Sequence, residues 1–267
     1  RQTEACARVA EVRRAVRVSS LGGGAYREDV DYIIRNQLAE AQMLDLESIQ
    51  KRYGTNEEGM KWLKRFQGAF FANPTPVAVP YGYGAVAGCC TGNGALSLYY
   101  GWHGITRFDE KSGTAVVNLF LNRASEWMDI DSYLPYEGKV VIHNKKATNI
   151  MVRVPSWIDP AKIKCLAGEK QIQPSLGGRY LLFTGLDPQS GKDSIRLEFD
   201  VPEYQDKYTV NEKVYTVTYR GSTVVNIQPK SEDPRSLAIY QRDSLRTSNT
   251  PMRQKKQFIT NRIIPLQ

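Results

Sequence analysis

The sequence predicts an α+β chain of more than one packed unit, helices first and an antiparallel β-sandwich after them. Three observations lead there. Apolar residues recur at helical spacing through roughly the first hundred residues. From about residue 113 the texture changes to short β-like runs, each closed by Gly, Pro, Asn or Asp. A length of 267 residues exceeds one average domain and fits one large or two modest ones. Helices followed by strands suggest two packed units rather than one α/β sheet.

The first helix is expected over residues 7 to 17, in "CARVAEVRRAVRV", where Val9, Val12 and Val16 share a face. The breaker "LGGG", Leu21 to Gly24, ends it. "REDVDYIIRNQLAEAQML" repeats the pattern with Ile33, Ile34, Leu38, Ala41 and Leu44. About four helices fit this half, enough for a small bundle and equally suited to part of a larger helical barrel. The strands follow as "TAVVNLFL", "KVVIHN", "NIMVRVPSW", "RYLLFTG" and "SIRLEFDVP". "KVYTVTY" and "TVVNIQP" continue them after residue 211. The divisions expected are 1–108 helical, 109–204 β-sandwich, and 205–267 further β-structure and a tail.

Composition narrows the function. With 41% hydrophobic and 24% charged residues, the chain has the makings of an ordinary core. No apolar run approaches a membrane span, so no membrane partner is expected. The charge of +8 comes from scattered basic residues, 36 Lys and Arg against 28 Asp and Glu. The only dense stretch is "RQKKQFITNR", and no recognition motif accompanies it. The excess reads as solvated surface, without a nucleic-acid partner. The opening "RQTEACARVAEVRR" has neither initiator Met nor signal-peptide layout, which suggests a mature form or a piece of something longer. The compartment stays open between cytoplasm and a secreted or periplasmic location.

Four cysteines do not make a disulfide scaffold. Cys89 and Cys90 stand side by side in "VAGCCTGNGALSLYYGW", and a disulfide between neighbours would close a strained ring. Thr91 and Asn93 are good N-cap residues, with Leu96, Tyr99, Tyr100 and His103 at helical spacing behind them. The pair is therefore expected just before a helix N-terminus, which favours thiolate over thiol. Gly88, Gly92 and Gly94 leave room for a ligand or another backbone.

Adjacent thiolates need a cation, and zinc wants about four ligands. Glu4 and Cys6 would complete a Cys3Glu set if they converged in an extended lead-in to the first helix. The blander alternative is that both cysteines are small buried hydrophobes. Cys165 reads as a packed strand residue, His143 as a surface or turn histidine, and His103 as a helix-end residue. Tyr81 and Tyr83, in "VPYGYGAVAG", are candidates to stack on a ligand, or simply pack their loop. Trp102, with Tyr99 and Tyr100, reads as core.

Glu-x-Cys opening a helix, Cys-Cys some eighty residues later and then a β-sandwich resemble the β-L-arabinofuranosidase family, glycoside hydrolase family 127 (DUF1680-like). "VNLFLN", "YLPYEGKVVI", "IMVRVPSWI" and "IRLEFDVP" carry the similarity on to about residue 204. The resemblance implies the C-terminal part of an (α/α)6 barrel followed by β-sandwich domains. It implies that Glu4, Cys6, Cys89 and Cys90 bind Zn2+ and that Cys89 is the nucleophile of a retaining glycosidase. Tyr81 and Tyr83 would then flank an L-arabinofuranoside or related sugar. Where the best-known members follow the pair with Pro-Pro-Asn, this chain has Thr91, Gly92 and Asn93. The general acid/base and the rest of the barrel are expected upstream of Arg1, outside this chain.

Two other functions compete with a hydrolase. One is a non-catalytic carbohydrate-binding or structural relative of the same fold; the other is a redox-active cysteine pair. Zinc content separates the redox reading from both others.

Overall fold

A computed structural model describes residues 5–20, 26–53, 56–72, 74–80, 86–188, 194–233 and 236–253. They form an α+β chain of two compact units. One contains the described residues up to His103 together with Pro202–Arg246; the other contains Gly104–Val201 with the described residues from Thr247.

Helix α1 (Ala5–Ser20) begins earlier than the apolar spacing suggests and buries Val12 completely, with Val9 and Val16 half-buried. Helix α2 (Arg27–Tyr32) passes without a break through a π-helical stretch, Ile33–Leu38, into α3 (Ala39–Ala41). The widened turn surrounds Asn36, whose Nδ2 donates to the Tyr32 carbonyl at 2.9 Å and so competes for an acceptor of the helix ladder. The helix ends at Ala41 because the chain then turns extended. Met43 N–H donates to Ala69 O and Phe71 N–H to Ala41 O, both at 2.8 Å. Leu44, expected on the buried face, is consequently 56% exposed.

Helix α4 (Leu46–Tyr53) precedes α5 (Glu57–Arg65), which Asn56 caps by accepting from Gly59 N–H at 2.8 Å. The short strand β1 (Ala78–Pro80) and helix α6 (Gly88–Gly104) complete the helical half.

Among the described residues of the second unit, eleven strands follow. A five-stranded sheet has the order β10-β11-β7-β3-β2, from β10 (Ser175–Gly177), β11 (Tyr180–Phe183), β7 (Asn149–Arg153), β3 (Thr114–Val117) and β2 (Thr106–Asp109). A six-stranded sheet has the order β4-β5-β6-β12-β8-β9, from β4 (Arg123–Ala124), β5 (Met128–Ser132), β6 (Lys139–Asn144), β12 (Ser194–Glu198), β8 (Lys164–Ala167) and β9 (Lys170–Ile172). Burial alternates along β3, β5, β11 and β12, so each sheet has one apolar face, the pattern of a two-sheet sandwich. The expectation of purely antiparallel pairing fails at one place, because β3 and β7 run parallel. A parallel pair needs a long crossover, and here β4 to β6 of the other sheet supply it.

The last strands return to the helical unit. β13 (Glu203–Val210), β14 (Lys213–Arg220) and β15 (Thr223–Gln228) form an antiparallel meander, and β16 (Ser236–Ala238) pairs with β1. Val217, Tyr219, Val224 and Ile227 of the meander join Met43, Ile49, Leu63, Phe71, Val77 and Val79 in one core cluster. A three-stranded meander with one apolar face cannot bury that face alone. The helices cover it, and residues 203–228 therefore group with the first hundred residues rather than with the sandwich.

Candidate functional site

Thr91 N–H donates to Ala87 O at 3.0 Å, which closes the first turn of α6 and makes Ala87 its N-cap. The cysteine pair therefore lies inside the first helical turn rather than before it, and neither Thr91 nor Asn93 is the N-cap. The N–H groups of Gly88, Cys89 and Cys90 are those that α6 leaves outside its own ladder.

Cys89 Sγ and Cys90 Sγ stand 3.8 Å apart, far beyond the S–S bond length of about 2.05 Å. Cys89 faces outward, while Cys90 is 2% exposed. Residues 70–72 brace the pair. Thr91 Oγ1 accepts from Phe70 N–H at 3.3 Å, Phe71 pairs with Val86, and Cys90 Sγ points at Ala72 O at 4.0 Å. This bracing strip was not legible in the sequence; "GAFFANP" carries only a turn signal.

Glycines set how α6 packs. A methyl group at Gly94 would lie 2.4 Å from the Phe70 ring, and one at Gly101 would lie 2.0 Å from Ile34 Cδ1. Gly88 and Gly92 have open space at the same position, beside Cys89. The buried face is thus made of small residues, Cys90, Gly94, Ser97 and Gly101, at spacings of four, three and four. The large residues lie opposite. Leu96, Tyr99 and Trp102 are 40%, 52% and 46% exposed, which corrects the reading of Tyr99 and Trp102 as core; Tyr100 is half-buried, with the Arg13 guanidinium 5.6 Å over its ring. Cys89 shares this outward face, and His103 ends it with its ring 6.1 Å from that of Tyr99.

Of the other candidates, Glu4, Tyr81 and Tyr83 lie outside the described residues. Cys6 is already helical in the first turn of α1 rather than in an extended lead-in, and its side chain lies outside the description. Among the described residues no group of three His, Cys, Asp or Glu side chains could hold a metal ion. Cys165 on β8 is buried, and burial pushes its thiol up to about 11. His143 lies on the outer side of β6 with Nε2 3.0 Å from Asp131 Oδ2. The basic stretch after Arg253 falls outside the described residues, and no described helix is long and apolar enough to cross a membrane.

The fold defines the class first. Among solved structures, this chain is similar to a glycoside hydrolase with a TM-score of 0.59 and 16% identity, over 84% of this chain and 37% of that one. More particularly, it is similar to a GH127 beta-L-arabinofuranosidase from Geobacillus stearothermophilus T6, with a TM-score of 0.55 and 15% identity over 84% and 36% of the two chains. The chain thus spans a little over a third of the length of each. No protein-family model and no curated protein sequence matches it. The resemblance read from the cysteine motifs has its counterpart in a GH127-like fold.

Proposed function

We propose that this chain is the C-terminal portion of a retaining glycoside hydrolase of the β-L-arabinofuranosidase kind, carrying the end of an (α/α)6 barrel and, in Cys89, the nucleophile. The observation that carries this reading is the 3.8 Å separation of Cys89 Sγ and Cys90 Sγ in the first turn of α6. Two thiolates on one tetrahedral zinc, each about 2.3 Å from the metal, stand about 3.8 Å apart. The spacing of the pair suits two ligands of one zinc, and Cys6 and Glu4 of the Glu-x-Cys motif are the proposed third and fourth ligands. Bound there, zinc would supply the positive charge that keeps adjacent thiols ionised at neutral pH.

The chain's own residues divide the work. Cys90 is buried and directed toward the Ala72 carbonyl, so it is shielded from a sugar. Cys89 faces outward on a helix N-terminus flanked by the open sides of Gly88 and Gly92. Its sulfur attacks the anomeric carbon as the bond to the leaving oxygen breaks, and that oxygen takes a proton from a carboxylic acid. Water then displaces the sulfur, giving its proton to the same carboxylate, and the configuration is retained. The acid is proposed to be a glutamate upstream of Glu4. The aromatic side of α6 would meet the remaining barrel helices.

The test is hydrolysis of an aryl β-L-arabinofuranoside by the whole protein, with elemental analysis of the same sample. One zinc per chain and a loss of about a thousandfold or more in Cys89→Ala are expected. Zinc without hydrolysis would leave a carbohydrate-binding relative of the same fold. Full activity in Cys89→Ala would end the reading.

A further inference from the structure

The apolar face of the β13–β15 meander continues past the part that α2 covers. Strand alternation puts Tyr204, Asp206 and Tyr208 of β13 on one face, and the register sets Tyr219, Val217 and Tyr215 of β14 opposite them. On β14 this face is core, with Tyr219 3% and Val217 6% exposed. On β13, an edge strand, Tyr204 and Tyr208 stay 40% and 45% exposed, with the exposed carboxylate of Asp206 between them.

The row is held from behind. Tyr204 stacks on Tyr219 with ring centroids 5.1 Å apart and planes 18° apart. The Tyr219 hydroxyl donates to that of Tyr208 at 3.2 Å and lies 2.7 Å from the Tyr32 hydroxyl of α2. The Tyr208 hydroxyl in turn donates toward Asp206 Oδ2 at 3.5 Å. At the Tyr208 end of the row a cavity of about 360 Å³ opens, lined by Tyr32, Tyr208, Tyr215 and Pro76 and floored by the buried Val217 and Tyr219; Tyr204 and Asp206 lie outside its lining.

We infer that this tyrosine shelf binds a stretch of glycan. A sugar ring offers an apolar C–H face to each exposed tyrosine and a rim of hydroxyls to Asp206 and the phenol oxygens. An apolar helix laid on the shelf would instead take the Asp206 carboxylate out of water with only the long 3.5 Å bond from Tyr208 to compensate it, at a cost that disfavours it. Rings already fixed by stacking and hydrogen bonds lose little freedom on binding. That the polyol is a sugar rests on the glycosidase reading.

Titrating the whole protein with linear arabino-oligosaccharides by calorimetry tests the shelf. Saturable binding is expected, weakened about five- to tenfold in Tyr204→Ala and in Tyr208→Ala. Asp206→Asn, at an exposed position on the edge strand, should also weaken it. No binding by the wild type, or affinities unchanged in all three variants, overturns the inference. The same variants assayed on an aryl monosaccharide, which offers no glycan chain, keep the two readings apart. Binding without hydrolysis sinks only the hydrolase, and hydrolysis without binding sinks only the shelf.

Discussion

Asn36 grips Val224: its Oδ1 accepts the buried Val224 N–H at 2.7 Å, while its Nδ2 donates to Ser222 O at 2.9 Å. A single side chain in the π-helical stretch of the long helix thus satisfies the backbone at the start of β15. The contact is 2% exposed at Asn36, and Asp31 joins it by accepting from Ser222 Oγ at 2.6 Å. Truncation to Asn36→Ala strands a buried donor, which costs about 3 kcal/mol. Urea unfolding should report that loss; a change under about 1 kcal/mol would mean that water replaces the amide.

Gly92 and Gly94 lie two residues apart on α6, on opposite faces, and should respond oppositely to alanine. Gly92→Ala meets nothing within 4 Å and gains helix propensity, so stability rises by about 0.5–1 kcal/mol. Gly94→Ala drives a methyl into the rigid ring of Phe70 and loses about 2 kcal/mol despite the same propensity gain. Melting curves of the two variants decide it, and equal shifts would contradict the packing described.

Thiol reactivity should rank by exposure. With a chelator present, iodoacetamide at pH 8 is expected to label Cys89 first and Cys165 last, because Cys165 is buried with its thiol pushed up to about 11. Mass spectrometry of timed samples gives the order. Early labelling of Cys165 in folded protein would show that β8 opens.

Thr250 ties the chain after residue 247 to the sandwich by donating from Oγ1 to Glu137 Oε1 at 2.7 Å. That hydroxyl first, then Lys139, holds the Glu137 carboxyl below its ordinary value of 4.5. Because the folded value is the lower one, the contribution is complete above about pH 4.5 and is lost as pH falls below that and through the folded value. Thr250→Val should therefore melt below wild type at pH 7 and match it in acid. A gap that persists in acid would point to packing instead.

Much of the sandwich was legible because strands with one buried face must alternate. "KVVIHN" is β6 to the residue, and "SIRLE" within "SIRLEFDVP" is β12. β13 was missed because nearly all of it is exposed, so no alternation marks it. Along α6 the spacing was right and the face was wrong. Periodicity locates a face but does not say which side is buried, and the glycines beat the aromatics because only they let Phe70 and Ile34 approach.

The sequence by itself determined the class of fold, the cysteine pair and its place at a helix start, because propensity, alternation and adjacency are local properties. Only the tertiary structure decided that residues 203–228 pack with the helices, that Cys90 is buried while Cys89 faces out, and that Phe70 to Ala72 brace them. Those facts depend on partners distant in the chain. A buried apolar face specifies that it needs a cover, and the whole fold selects which segment supplies it.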